Sequence, residues 1–358
     1  MDRIGTTSRR FVFFVLFAIL FAAGCSLYLD DEEPEQFYKI EDFEILELGV
    51  NIADMVMDPN QPYLYLADYG NNRILRIHLG SQMTVDGSLQ VGSHPIDLDV
   101  TPNQRHLVVG LNGESNLKII DLNSFALVKT VPYSLNDISH IVCGTDSIVY
   151  VSSLDEPLLI AVSIVDNRET SGNVRSGALQ MNHGDRKLFV AARNNVLKYD
   201  ASGRFPTTET TSTRFSFSAR INDFVIGPFN EHLYLGLADP EDRGHVKDLW
   251  AFSAHDLTLT GKFEIKSPAL GLALSRDGRR LFVAPTDADE AGVFIVEFDT
   301  QTKLETNYLL AAGNLRERGI AIDNNDQYLY VAVYTPGDDD TFEPYNIDSY
   351  DLQRIRID

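Results

Sequence analysis

Cysteine is almost absent from this 358-residue chain: there are two, Cys25 and Cys143. If Cys25 is modified, Cys143 has no partner, so no disulfide is expected; in the apolar run HIVC, Cys143 reads as a small buried hydrophobe. Tryptophan is scarcer still, with Trp250 alone. Basic residues are short, 30 Lys and Arg against 52 Asp and Glu, for a net charge of -22. That balance argues against nucleic acid and anionic membrane surfaces as partners and suits cations or basic proteins. Catalytic signatures are missing as well: there is no GxSxG, HExxH, P-loop or GxGxxG. The histidines other than His140 stand singly and read as surface or turn residues. No catalytic residue is named from the sequence.

One apolar run exists, and it lies at the start. Arg3, Arg9 and Arg10 precede Phe11 to Ala23, which is too short and wrongly flanked for an ordinary spanning helix. Phe21-Ala22-Ala23-Gly24-Cys25 resembles a bacterial lipobox, with Ala22 where Leu is usual. The resemblance implies a signal peptide over 1–24 and a lipid on Cys25. Ser26 after the cysteine, by resemblance to lipoprotein sorting, points to the outer membrane of the cell envelope. A simple secretory signal is the alternative. Residues 25–42 are acidic and read as a tether, which leaves 43–358 for the folded domain.

Within that domain one unit recurs. Residues 62–79, PYLYLADYGNNRILRIHL, alternate apolar and polar with period two around a Gly-Asn turn, the pattern of two antiparallel strands. The LYLA-type anchor strand returns as Leu64-Tyr65-Leu66, Leu107-Val108-Val109, Val149-Tyr150-Val151, Leu188-Phe189-Val190, Leu233-Tyr234-Leu235, Leu281-Phe282-Val283 and Leu329-Tyr330-Val331, at intervals of about 39 to 48 residues. Before each anchor come a short apolar strand and a tight turn, such as DPNQ at 58–61 or DNND at 323–326. After it come a loop, a third strand often ending in Asp, and a more polar fourth strand. Four strands meandering outward, repeated seven times, predict an all-β seven-bladed β-propeller. The aromatic residues of the anchors then read as packing between blades, not as a carbohydrate platform.

The segments HPIDLDVTPNQRHLVVG and SPALGLALSRDGRRLFVA resemble YVTN-type and related seven-bladed propeller repeats of bacterial surface and periplasmic proteins. WD40, kelch and quinoprotein signatures are missing. The last unit runs out after RIRID at the C-terminus, so FEILELG at 43–49 is expected to supply its outer strand and close the ring; RIRID itself is the alternative.

Two groups of residues are candidates for function. The loops after the anchor strands are compact in the first four blades and long and acidic in the last three, at 238–248, 285–292 and 334–346. Asp239, Asp242, Asp287, Asp289, Asp338, Asp339 and Asp340 are expected on one face, as a solvated rim or as a site for a protein, a glycan, Ca2+ or another divalent cation. Loop aromatics such as Tyr69, Tyr334, Phe342 and Tyr345 are candidates for ligand contact. The second group comes from aligning the innermost strands on their anchors. Asp54, Asp97, His140 and Asp223 then fall at one level of the channel mouth, with Arg316 and Arg318 entering from the last blade. Such residues either hold a metal or polarise water, as in a propeller hydrolase or lactonase, or they bind backbone amides of neighbouring blades. The leading expectation is a lipid-anchored, monomeric, non-enzymatic binding scaffold; the alternative is a metal-dependent hydrolase.

Overall fold

The computed structural model describes residues 43–153, 157–192, 195–206, 208–214, 220–229, 231–238, 248–286, 292–334 and 349–357. All belong to one unit of the chain, Tyr38–Asp358. Among the described residues 28 strands form seven antiparallel sheets of four, and no helix is long and apolar enough to cross a membrane. The innermost strands are Ile52–Met57, Pro95–Val100, Ile138–Cys143, Ala178–Asn182, Arg220–Ile226, Ala269–Leu274 and Asn314–Ile322. Each packs against the next, and the last returns to the first. The chain is a seven-bladed β-propeller.

Why the anchor strands repeat is visible in the core, which lies between the blades and not in one central mass. Buried apolar residues fall into seven clusters, one at each blade–blade interface. Alternation in the anchor feeds two of them at once. In blade 1, Leu64 and Leu66 face blade 7 while Tyr65 faces blade 2. In blade 4, Leu188 and Val190 face blade 3 while Phe189 faces blade 5. Tyr65, Tyr150, Phe189, Phe282 and Tyr330, the middle residues of their anchors, are fully buried. Burying a side chain of this size is worth about 1.5–3 kcal/mol, so the aromatic residues of the repeat serve the ring.

A small residue follows every anchor: Ala67, Gly110, Ser152, Ala191, Gly236, Ala284 and Ala332. It lets the neighbouring inner strand approach. A Cβ on Gly236 would stand 2.8 Å from the Cβ of Ala269, and one on Gly110 would stand 2.7 Å from Ile138 Cδ1. Third-strand aspartates shape the outer turns, since Asp121, Asp200 and Asp299 accept the backbone N–H of Ser124, Ser202 and Thr302 at 2.8, 2.9 and 2.6 Å.

The N-terminal strand closes the ring. Phe43–Val50 lies antiparallel to Tyr350–Arg356 as the outermost strand of blade 7, with Phe43 opposite Ile355. RIRID therefore belongs mostly to the third strand of that blade, which runs to Arg356, and it does not form a fourth. Asp351 Oδ1 accepts the N–H groups of Leu48 (2.7 Å) and Gly49 (3.0 Å) where the closing strand bulges, and Gly49 takes φ +58° there. Arg354 adds a second clasp, donating to the carbonyls of Gly80 and Ser81 in blade 1 at 2.7 and 2.8 Å.

Candidate functional site: the channel mouth

The inner strands do not pair evenly with their anchors. In blades 1, 2, 3, 5, 6 and 7 the register shifts at the entry end, while blade 4 pairs without a break. Asp97, His140 and Asp223 come directly after the irregularity, opposite Gly110, Ser152 and Gly236. A bulge bends the strand and re-aims its side chains. Here it turns the aspartates toward the next blade.

Each carboxylate meets a backbone amide there. Asp54 Oδ2 accepts Leu98 N–H of blade 2 at 2.8 Å. Asp97 Oδ2 accepts Ile141 N–H of blade 3 at 2.6 Å, and two residues on, Asp99 Oδ2 accepts Cys143 N–H at 2.6 Å. Asp223 takes Leu272 N–H of blade 6 and its own neighbour Phe224 N–H, both at 2.8 Å. Other side chains repeat the device: Ser152 donates to Gly177 O at 2.5 Å, Asn222 to Ala269 O at 2.8 Å and Arg316 Nε to Ile52 O at 3.0 Å. Buried polar groups cost stability unless paired; here the pairing joins one blade to the next.

Arg318 crosses this mouth from blade 7. Its backbone lies in the left-handed region at φ +57°. Nη2 donates to Asp97 Oδ1 at 2.8 Å and stands 3.7 Å from Asp54 Oδ1; Nη1 lies 3.0 Å from His140 Nδ1. A guanidinium only donates, so His140 Nδ1 accepts and the imidazole is neutral. Burial and then the Arg318 charge push its pKa down to about 4, against a weaker opposing pull from Asp97. Burial works against the Arg318 charge too, but the carboxylates of Asp97, Asp54 and Asp223 outweigh it and hold its pKa above the ordinary value. Burial raises Asp54 well above the usual carboxylate range although Arg318 pulls the other way, and it lifts Asp223 and Asp99 to about 6.

The sequence alignment thus brings together the residues it names. Asp54, Asp97 and His140 gather at Arg318, and Asp223 acts on it through charge. They form an arginine-centred network, and among the described residues no group of three or more His, Cys, Asp or Glu side chains is placed to hold a metal ion. Asp99 is the member the sequence reading passed over; its spacing of two from Asp97, one period on the same strand face, was the available signal. Cys143 is fully buried and free among the described residues, with a pKa raised by burial and then by Asp99. Of the loop aromatics, Tyr69 stacks on the His94 ring at 4.5 Å and Tyr334 meets Tyr350 at 6.1 Å. Phe342, Tyr345, Cys25 and the acidic candidates Asp239, Asp242, Asp287, Asp289, Asp338, Asp339 and Asp340 lie outside the described residues.

No family model matches the chain, and no curated protein sequence matches it. Solved structures do. The β-propeller domain of Myceliophteria thermophila Cps50 (Swd1) is similar with a TM-score of 0.70 and 12% identity, over 88% of this chain and 100% of that one. Kuenenia stuttgartiensis hydrazine synthase gives 0.67 and 12%, over 87% and 97% of the two chains. U3-55K gives 0.67 and 11%, over 88% and 98%. At these identities the likeness is one of fold alone, the β-propeller.

Proposed function

We propose that this protein is a non-enzymatic binding scaffold of the bacterial cell envelope, tethered through a lipid on Cys25 and engaging a protein partner through the acidic loops of its last three blades. The observation that carries the reading is the channel mouth. Asp54, Asp97 and Asp223 each accept a backbone N–H of the next blade, and the Arg318 guanidinium occupies the place a bound cation would take. Polar groups in that position hold a rigid ring. The long loops on such a ring are where binding residues concentrate, and their charge suits a basic surface.

The test is one set of purified full-length proteins. Wild type is expected to carry no stoichiometric divalent metal by elemental analysis, to incorporate an alkyne-tagged fatty acid that Cys25→Ala does not, and to cross-link in isolated envelopes to a partner that Asp338→Ser/Asp339→Ser/Asp340→Ser loses. A stoichiometric metal that disappears in Asp97→Ala/Asp223→Ala would overturn the scaffold reading and establish the metal-dependent hydrolase. Full labelling of Cys25→Ala would remove the anchor from the reading.

A further inference from the structure

At the end of the ring opposite the mouth, the turns between first and second strands meet those of the next blade. Between blades 5 and 6 this leaves a cleft of about 200 Å3, floored by Tyr234. Between blades 7 and 1 the corresponding space, floored by Tyr330, is a cavity of about 440 Å3. That lies within the about 300–1,000 Å3 of small-molecule sites.

The walls of the larger cavity are fixed from behind. Asp58 Oδ1 accepts the N–H groups of Asn60 and Gln61 at 2.9 and 3.0 Å, and its Oδ2 accepts the Tyr65 hydroxyl at 2.9 Å. Pro59 and Pro62 stiffen the same turn. Across the cavity, Asp323 Oδ1 accepts Gln327 N–H and Tyr328 N–H at 2.7 and 2.9 Å. The turns are also tied to one another: Asn324 Nδ2 donates to Asp58 O at 2.7 Å, and Arg276 N–H of blade 6 to Asp326 Oδ1 at 2.9 Å. The backbone of this site is engaged, and its shape is set without a ligand.

Four of the side chains facing the space are not engaged. Asn60, Gln61, Asn325 and Gln327 line it, and their carboxamides make no hydrogen bond to any described residue. Each offers two donors and an acceptor with no charge. The lining also holds the Tyr328 ring, backed by the Arg354 guanidinium at 4.9 Å. Its charged members are one acid, Asp323, and one base, Arg276. On a chain of net charge -22 this is a locally neutral, amide-rich spot. Neutrality disfavours phosphates, metal ions and polyanions. The polar walls disfavour an apolar ligand. A peptide added as a strand needs an open sheet edge, and the strands beside this cavity are inner and second strands, with the second strands paired on both sides. What remains is a ligand whose surface alternates donors and acceptors without charge and which has a C–H face to lay on an aromatic ring.

We propose that the cavity between blades 7 and 1 binds a short neutral saccharide, held by the carboxamides of Asn60, Gln61, Asn325 and Gln327 and stacked on Tyr328. The site uses none of the acidic candidates named from the sequence. The test uses the purified full chain with maltotriose, cellotriose and triacetylchitotriose as probes, read by saturation-transfer NMR and titration calorimetry. Trigalacturonate and trialanine are the charged and peptide controls. At least one neutral trisaccharide is expected to bind in preference to both controls. Asn60→Ala, Asn325→Ala and Gln327→Ala, all at exposed positions with folding checked by circular dichroism, are each expected to weaken it by about 2–10-fold, the loss of one or two net hydrogen bonds. Gln301→Ala, in the smaller cleft between blades 5 and 6, is expected to leave it unchanged. Failure of all three neutral sugars to bind, tighter binding of trigalacturonate or trialanine, or an affinity indifferent to all three alanine substitutions would overturn the proposal.

Discussion

At the mouth, Asp54, Asp97, Asp99 and Asp223 all accept amides from the following blade, and Arg318 draws blades 1, 2 and 3 toward blade 7. At the opposite end, Asp58 and Asp323 satisfy the backbone of their own turns, Asp326 reaches across to Arg276 N–H of blade 6, and four carboxamides of blades 1 and 7 are left facing an open cavity. The same strands carry both ends. They differ in where Asp54, Asp97 and Asp223 on the one hand, and Asp58 and Asp323 on the other, send the carboxylate: across to the next blade, or back into its own turn. A group that reaches across holds the ring and is unavailable to a ligand. A group that folds back orders the turn and frees the residues beside it. Substitutions at the mouth should therefore cost stability, and comparable ones at the turn end should cost little.

The largest effect is expected from Arg318→Met. It removes the guanidinium that contacts both Asp97 and Asp54, which are 2% and 7% exposed, while Arg318 itself is 26% exposed. Leaving buried carboxylates without their partner costs about 3–5 kcal/mol; with partial solvent access, about 3 kcal/mol is expected at pH 7 by urea denaturation. Part of the loss should return at pH 4, where the raised pKa lets Asp54 take a proton. The matched change at the turn end, Arg276→Met, is expected to stay within about 0.5 kcal/mol. Equal costs at the two ends would break the comparison.

Much of the ring was legible in the sequence because its core follows the shortest of periods. Leu64 and Leu66 against Tyr65, repeated at each anchor, declare two buried faces, and a propeller blade packed between two neighbours supplies both. The closing strand followed from the count, since the last unit ran short of residues. The mouth was half legible. Counting back from the anchors placed Asp54, Asp97, His140 and Asp223 at one level, but left metal ligation and amide binding as alternatives. The amide contacts depend on a bulge in the inner strands that carry these residues and, for Asp97, on an amide 44 residues away, and neither leaves a mark in local composition. The turn-end cavity was not legible at all. DPNQ and DNND read as turns, which they are; the width between them depends on how blades 7 and 1 meet at closure.

A smaller effect tests how tightly the mouth is packed. Gly236 stands opposite Asp223, and a Cβ there would meet Ala269 Cβ at 2.8 Å, an atom that no rotamer change can move. Gly236→Ala is expected to cost about 1–2 kcal/mol through the forced shift of blade 6. Gly227, at the turn end of the same blade, has its nearest neighbour at 3.4 Å. Gly227→Ala should change stability by less than about 0.5 kcal/mol. Thermal unfolding of the two variants side by side reads the difference directly, and equal melting temperatures would mean that the blades slide freely at the mouth.

The smallest effect is a pH profile. Asp223 and Asp99 have folded pKa values of about 6, above the ordinary 3.8, so the stability linked to them is full below 3.8 and is lost as pH rises through 6. His140 runs the other way. Its folded pKa of about 4 lies below the ordinary 6.5, so its contribution is present above 6.5 and lost as pH falls through 4. Between those limits the histidine offsets part of the aspartate slope. His140→Gln keeps an acceptor for Arg318 but cannot titrate. The melting temperature of this variant should lie furthest below wild type at pH 7, and the gap should close by a few degrees as pH is lowered to 4. A gap that stays constant from pH 4 to 7 would show that His140 takes up a proton in the folded protein as readily as in the unfolded chain, and that Arg318 does not face a neutral imidazole.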